Sequence, residues 1–320
     1  MRSHHRQRGI ALVLVLWMMV LLMVIAASLT VVQRNEIGMV SAMVQERQAR
    51  AAISAAQQVM IYRLLNPPAS AADQEPEWKA DGVLRPWQFE GFELRIAATP
   101  ESGRIDLNQA APEMLEQLFI EVGLDPAEAE ALRDTILDWI DPDDDARLHG
   151  AEKSDYQAAG LPYGPRNRRF ETLQELRQVL GMTPEVYRAV APALTIHSGQ
   201  RTVNPLFADR LVLYAIPEVD RGVVDRYLIE RDEALAQGLE PSMPPFGGNF
   251  VSPSGARVYR LYAEVELDQG RTVRGEMLIS LGGGGGGGRP SLHFDRAPGA
   301  RAYQVLENHI TPQVRPIDVL

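Results

Sequence analysis

From Ile10 to Val32 the chain is apolar at every position except Ser28 and Thr30, and the short basic peptide MRSHHRQRG precedes it. A run of this length matches the roughly 20 residues that a helix needs to cross a hydrocarbon core about 30 Å thick. Helix-compatible sequence then continues from Gln33 to Leu65, with no proline and one glycine, Gly38. The pattern predicts one helix over about 10–65, on the order of 80 Å long at 1.5 Å per residue. Val40, Val44, Ala51, Ala55, Val59 and Tyr62 fall near helical spacing, so its lower half is expected to lay that face on a globular body.

Further along, the period changes from segment to segment. Trp87–Ala98 reads as a strand with Phe92, Leu94 and Ile96 on one side. Helical patterns follow at 111–122, 126–140, 172–180, 184–191 and 208–236, the last interrupted near Pro217; Pro112 and Pro126 suit first turns, and Gly123 and Gly181 suit exits. Pro241–Gly255 is a loop by composition. Tyr259, Leu261, Ala263, Val265 and Leu267 then alternate with polar positions, Asp268-Gln269-Gly270 turns the chain, and Val273, Met277 and Ile279 alternate again, which is a hairpin signal. Two strands alone are marginal in water, so the hairpin is expected to complete a sheet with Trp87–Ala98 against the long helix, making the helical block an insertion. Seven glycines, Gly282–Gly288, act as a spacer before a tail to Leu320 that either docks through Tyr303, Val305 and Leu306 or hangs free.

Charge sets the orientation. Arg2, Arg6 and Arg8 have no acidic neighbour, and an excess of Lys and Arg marks the end that stays in the cytoplasm, so the body after Val32 is expected to be translocated. A cleaved secretory signal is the competing reading, but its apolar part is only about 7 to 15 residues. The chain has no cysteine, so an oxidising compartment offers it no disulfide. Between Glu101 and Gly160 stand 16 Asp and Glu against 4 Lys and Arg, a local balance of −12 in a chain of net charge −10. That balance argues against a nucleic-acid surface, which needs a basic patch.

Within the acidic block, Asp141, Asp143, Asp145 and Glu152 fall at relative positions 1, 3, 5 and 12, the ligand spacing of an EF-hand-type loop, with Ala146 where such a loop carries glycine. Four carboxylates within five residues, Asp141 and Asp143–Asp145, repel one another unless a hard cation or water screens them. Ca²⁺ accepts six to eight oxygens in flexible geometry, so it is the expected ion. Asp138 can contribute from the preceding helix and Asp155 from beyond the loop. The competing reading is a solvated acidic turn at Pro142.

Two further stretches, 105–118 and 211–227, resemble helix-hairpin-helix elements. Glu218 and Asp220 stand where the phosphate-binding versions carry glycine, which argues for packing and against DNA. The six histidines are scattered, and there is neither a thiol nor a serine elbow, so no enzymatic activity and no small-molecule substrate are expected.

The basic leader, Gly9, and a hydrophobic helix opening at Ile10 resemble a type IV prepilin or type II secretion pseudopilin. The resemblance implies cleavage between Gly9 and Ile10 by prepilin peptidase and methylation of the Ile10 amine. Most pilins carry Glu at the fifth mature residue; here it is Leu14, which resembles the minor pseudopilin K family found at the filament tip. An unpaired buried carboxylate is costly, and a tip subunit has no neighbour ahead whose amine could answer it. The resemblance further implies an α+β fold, a pilin-like long helix packed on a small antiparallel sheet and interrupted by a large inserted all-helical domain, with calcium in that domain and Asp138–Asn167 as the corresponding segment.

The expected organisation is a leader at 1–9, a membrane and filament-core helix at 10–32, the lower helix and first strands at 33–100, the acidic helical domain at 101–240, the closing loop and hairpin at 241–281, and the spacer and tail at 282–320. The implied protein is a single-pass inner-membrane subunit of a Gram-negative bacterium with a periplasmic body. Its implied partners are minor pseudopilins I and J, the major pseudopilin and the peptidase. The alternative from the residues alone is a bitopic periplasmic calcium-binding scaffold that never enters a filament.

Overall fold

In the computed structural model, residues 8–66, 79–253, 255, 257–267, 270–282 and 303–314 are described, and in the first helix the side chains of 13–26 and 42–65. Helix α1 runs Arg8–Leu65. It is followed by β1 (Arg85–Phe89), β2 (Phe92–Pro100) and β3 (Ile105–Asp106). Then come α2 (Pro112–Glu121), α3 (Pro126–Ile140), α4 (Lys153–Ala158), α5 (Pro184–Val190), β4 (Leu194–Thr195), α6 (Arg210–Tyr214) and α7 (Arg221–Ala236). The chain closes with β5 (Val258–Glu266), β6 (Arg271–Leu281) and β7 (Tyr303–Val314).

Among the described residues the main sheet has the order β1-β2-β5-β6-β7, every neighbour antiparallel. The adjacent strands β2 and β5 are separated in sequence by the whole helical region, which leaves at Pro100 and returns at Val258. Two cores result. One joins Ala49, Ala52, Ile53, Ala56, Met60 and Ile61 of α1 to Leu94, Ile96, Leu261, Ala263, Val265, Val273 and Ile279 of the sheet. The other lies in the helical region, around Leu118, Phe119, Ile136, Trp139, Tyr156 and Val212.

Three expectations change, and the open one, the tail, is decided. The face that α1 buries is not the predicted one: Val44, Ala51 and Tyr62 are exposed, and Val40 lies outside the described side chains. Small residues line the contact, where Ala49, Ala52 and Ala56 let the helix sit close to the strands, and opposite them Gly275 leaves the space that Ile53 fills: a Cβ there would stand 2.3 Å from Ile53 Cγ2. Trp87–Ala98 is not one strand but a hairpin. Phe89 faces Phe92 across a two-residue loop in which Glu90 (φ 49°) and Gly91 (φ 81°) both take the positive φ of a type I′ turn. The predicted helix at 172–180 is a 3₁₀ segment, Leu173–Gln178. The tail docks: β7 pairs along β6 from Arg271↔Val314 to Leu281↔Tyr303, and Arg50 Nη1 donates to the Ile310 carbonyl at 3.0 Å. The predicted turn at Asp268-Gln269 and most of the glycine run lie outside the described residues.

Among the described residues no helix is long and apolar enough to cross a membrane. The span expected at 10–32 falls partly on residues 10–12 and 27–32, whose side chains lie outside the described set; within it, Val13–Ala26 are all exposed. Gly9 and Ile10 lie in α1, and their side chains are likewise outside the described residues.

Candidate cation site at the acidic loop

Helix α3 delivers the acidic loop. Asp125 caps its start, accepting from Glu128 N at 2.8 Å while the Glu128 side chain reaches back to Asp125 N. Pro126 fills the first turn, where its missing N–H costs nothing. The last turn carries Asp138 and Trp139, both fully buried. Trp139 stacks on Phe170, with centroids 6.1 Å apart, and tilts against Tyr156. Asn108 pins Phe170 from two sides, donating to its carbonyl at 3.0 Å and accepting from its amide at 2.8 Å. Tyr156 is held in turn by the Leu180 amide on its hydroxyl. The end of α3 from which the loop departs is therefore seated in an aromatic cluster.

Arg147 organises the two carboxylates at the base of the loop. One nitrogen, Nη1, touches both Asp138 Oδ1 and Asp141 Oδ2, and the Arg147 backbone amide donates to Asp138 Oδ2 at 3.2 Å. Partial burial alone would lower the guanidinium pKa, but the bonds to Asp141 and Asp138 outweigh it and raise it. Gly150 is obligatory beside this pair, since a Cβ there would lie 1.9 Å from Asp138 Oδ2.

Glu152 stands apart from this neutralisation. It is 5% exposed, and neither carboxylate oxygen has a hydrogen-bond partner. Burial, then the negative charges of Asp138, Asp141, Asp144 and Asp143, push its pKa up to about 7. Two more buried acceptors of this acidic region are unpartnered, Asp141 Oδ1 and Asn167 Oδ1. Asn167 sits at a left-handed φ of 50° and ties its segment to the loop through bonds to the Asp143 carbonyl and Asp144 Oδ1, each 2.9 Å.

The six predicted ligands thus divide. Asp138 and Asp141 share Arg147, and Glu152 lies near enough for their charges to act on it. Asp143 and Asp145 are exposed, and Asp143 Oδ1 accepts from Asp145 N at 3.1 Å in a local turn. Asp155 serves α4, where its carboxylate accepts from Glu152 N at 2.8 Å. Among the described residues no group of three or more Asp, Glu or His side chains is placed so as to hold a metal ion. Trp139 Nε1 is an unpartnered donor at the same helix end, but the unpartnered acceptors of the loop, on Asp141, Glu152 and Asn167, are oxygens that suit a hard cation, and a buried carboxylate without a partner is costly unless a cation answers it. Asn167 and Arg147 escaped the spacing argument, Asn167 because it is distant in sequence and Arg147 because spacing rules count ligands and not the cation among them.

The predicted hairpins also take shape. In the α6–α7 connection Glu218 has a φ of 60°, so a glutamate occupies the left-handed position that a phosphate-binding hairpin gives to glycine. Asp220 caps α7.

Residues 92–199 match the family model "Type II secretion system (T2SS), protein K". A type II secretion system protein K of Dickeya chrysanthemi is 26% identical over 242 residues, covering 60% of this chain and 66% of that protein. The Klebsiella pneumoniae protein K is 27% identical over 231 residues, covering 66% and 70%. This chain therefore spans about two thirds of the length of these relatives. The fold matches a chain in the crystal structure of the GspK-GspI-GspJ complex from the type 2 secretion system of enterotoxigenic Escherichia coli. That match has a TM-score of 0.54 at 16% identity and covers 83% of this chain and 96% of that one.

Proposed function

Starting from a chain that is a relative of the type II secretion K proteins, we propose that it is a minor pseudopilin that starts and caps the secretion pseudopilus and works by assembly, without catalysis. The observation that carries this reading is the division of α1. Its C-terminal half buries one face in the sheet, while Val13–Ala26 and, farther down, Met43, Val44 and Tyr62 present apolar side chains to the surroundings. A helix so exposed suits lipid before assembly and sister helices after it. On this reading α1 and the sheet form the pilin-like unit, the acidic helical region is its insertion, and that bulk at the top blocks further addition.

The leader is removed at Gly9, Ile10 becomes the methylated first residue, and the N-terminus starts on the cytoplasmic side of the inner membrane with the body in the periplasm. The E. coli structure holds GspK with GspI and GspJ, and the corresponding minor pseudopilins are the partners proposed here, with the major pseudopilin below. Photocrosslinkers at Val44 and Tyr62 should capture those partners in native membranes. Capture of none of them, with the full-length chain present, contradicts the assembly.

The acidic loop is proposed to bind Ca²⁺ through Asp138, Asp141 and Glu152, with Asn167 supplying a neutral oxygen and Asp143, Asp145 and Asp155 around them. The support is the set of unpartnered buried oxygens. The ion supplies the positive charge that Glu152 lacks. Calorimetric titration of the full chain in detergent with CaCl₂ tests this; no heat at millimolar calcium contradicts it.

A further inference from the structure

We infer that Arg147 is a built-in competitor for the cation, occupying the place between Asp138 and Asp141 until calcium displaces its guanidinium. This deepens the calcium reading above and rests on it. Three observations carry it. First, the contact is that of a point charge: one nitrogen, Nη1, serves both carboxylates, where a structural Arg–carboxylate pair is typically a two-nitrogen fork. Second, the compensation is incomplete. The Arg147 guanidinium answers Asp138 and one oxygen of Asp141, whereas the Glu152 oxygens and Asp141 Oδ1 remain buried and unpartnered. A divalent ion can answer oxygens that the guanidinium leaves bare.

Third, the side chain can leave without dismantling the loop. The Arg147 backbone amide holds Asp138 independently, and Gly150 packs directly against that carboxylate. The Arg147 side chain itself is 38% exposed, and the next residue, Leu148, is 88% exposed, so solvent lies next to the guanidinium. Fully buried Asp138 cannot be left without a cation, so departure of the guanidinium and arrival of the ion are one coupled exchange. The loop is then never without a positive charge at its base. The cost is a weaker apparent affinity, because every binding event first breaks the Arg147 contacts.

The test compares calcium titrations of the full-length protein in detergent, stripped with chelator, for the wild type and Arg147→Gln. The glutamine variant is expected to bind at least about tenfold more tightly, and Arg147→Lys, which keeps the charge but not the planar guanidinium, should fall between. Equal or weaker affinity in Arg147→Gln, with the wild type still binding, overturns the competitor role and leaves the calcium site standing. No binding by any of the three overturns the calcium reading itself. In case Arg147→Gln fails to fold without calcium, the wild type gives a second readout. Its Arg147 side-chain ¹⁵N–¹H signal, assigned by its loss in Arg147→Lys, should be protected from water exchange in chelator and exchange freely at saturating calcium. A signal that stays protected at saturation overturns the proposal.

Discussion

Replacing Glu152 by glutamine should stabilise the calcium-free protein and remove its response to calcium, a reversal of sign that few other surface or core changes would produce. In the native fold the carboxylate is nearly buried, both oxygens are unpartnered, and Asp138, Asp141, Asp144 and Asp143 repel it. Its pKa, pushed up from 4.5 to about 7, measures how poorly the fold tolerates the charge. At about 1.4 kcal/mol per unit, the ionised form at pH 8 costs roughly 3 kcal/mol against the unfolded chain, an upper figure because loop relaxation reduces it. Glutamine removes the charge, keeps the volume, and offers an N–H that a neighbouring carboxylate oxygen can accept. For a body of this size that corresponds to a rise in Tm of several degrees, about 2–4 °C per kcal/mol. Differential scanning fluorimetry at pH 8 should therefore show Glu152→Gln melting above the wild type in chelator and unmoved by 5 mM CaCl₂ (about that concentration saturates millimolar-class sites), whereas the wild type rises with calcium. A variant that melts below the wild type in chelator, or that gains as much from calcium, refutes the reasoning.

Gly275→Ala should cost about 1–3 kcal/mol in chemical denaturation, because the new methyl would stand 2.3 Å from Ile53 Cγ2 and push α1 off the sheet; an unchanged midpoint would mean that α1 does not sit this close. Glu101 links the helical region to β5: burial raises its pKa, but Arg260, 2.8 Å away, and Arg104 lower it further, so the net shift is downward from 4.5. A depressed carboxyl contributes stability above its unfolded pKa and loses it as pH falls through the folded one, so the advantage of the wild type over Glu101→Gln in Tm should be full at pH 7 and shrink below about pH 4.5. Truncation before Tyr303 strips β7 from β6 and leaves the long β6 edge unpaired, so the shortened body should aggregate at concentrations where the full chain is monodisperse by light scattering.

Legibility in the sequence followed the range of the interactions. Helix α3 was read to the residue, because Asp125, Pro126 and Glu128 write its start locally. The β5–β6 alternation was equally plain, with Leu261, Ala263 and Val265 facing the core. The buried face of α1 differs in phase from the expected one: Ala52 and Ala56, with Ile53, Met60 and Ile61, pack on the sheet where the spacing pointed to Ala51, Ala55 and Tyr62, because apolar residues stand on both sides of this helix and periodicity alone does not choose between them. The β1–β2 hairpin escaped because Glu90 is an unusual residue for a positive φ. Strand β7 pairs across the glycine run with β6, and its apolar residues are too sparse to announce a strand. At the acidic loop the clustering of carboxylates was visible. Its division into Arg147-bound, unpartnered and capping groups depends on α3, α4 and the Asn167 segment meeting in space, which spacing does not encode.

The most direct measurement is the intact mass and N-terminal sequence of the chain purified from its native membrane. The account predicts a protein that begins at Ile10 with a methylated amine, and that retains the whole leader when Gly9→Ala is introduced. A mature chain still beginning at Met1, with Gly9→Ala indistinguishable from the wild type, would contradict it and leave a fixed membrane scaffold in place of a filament subunit.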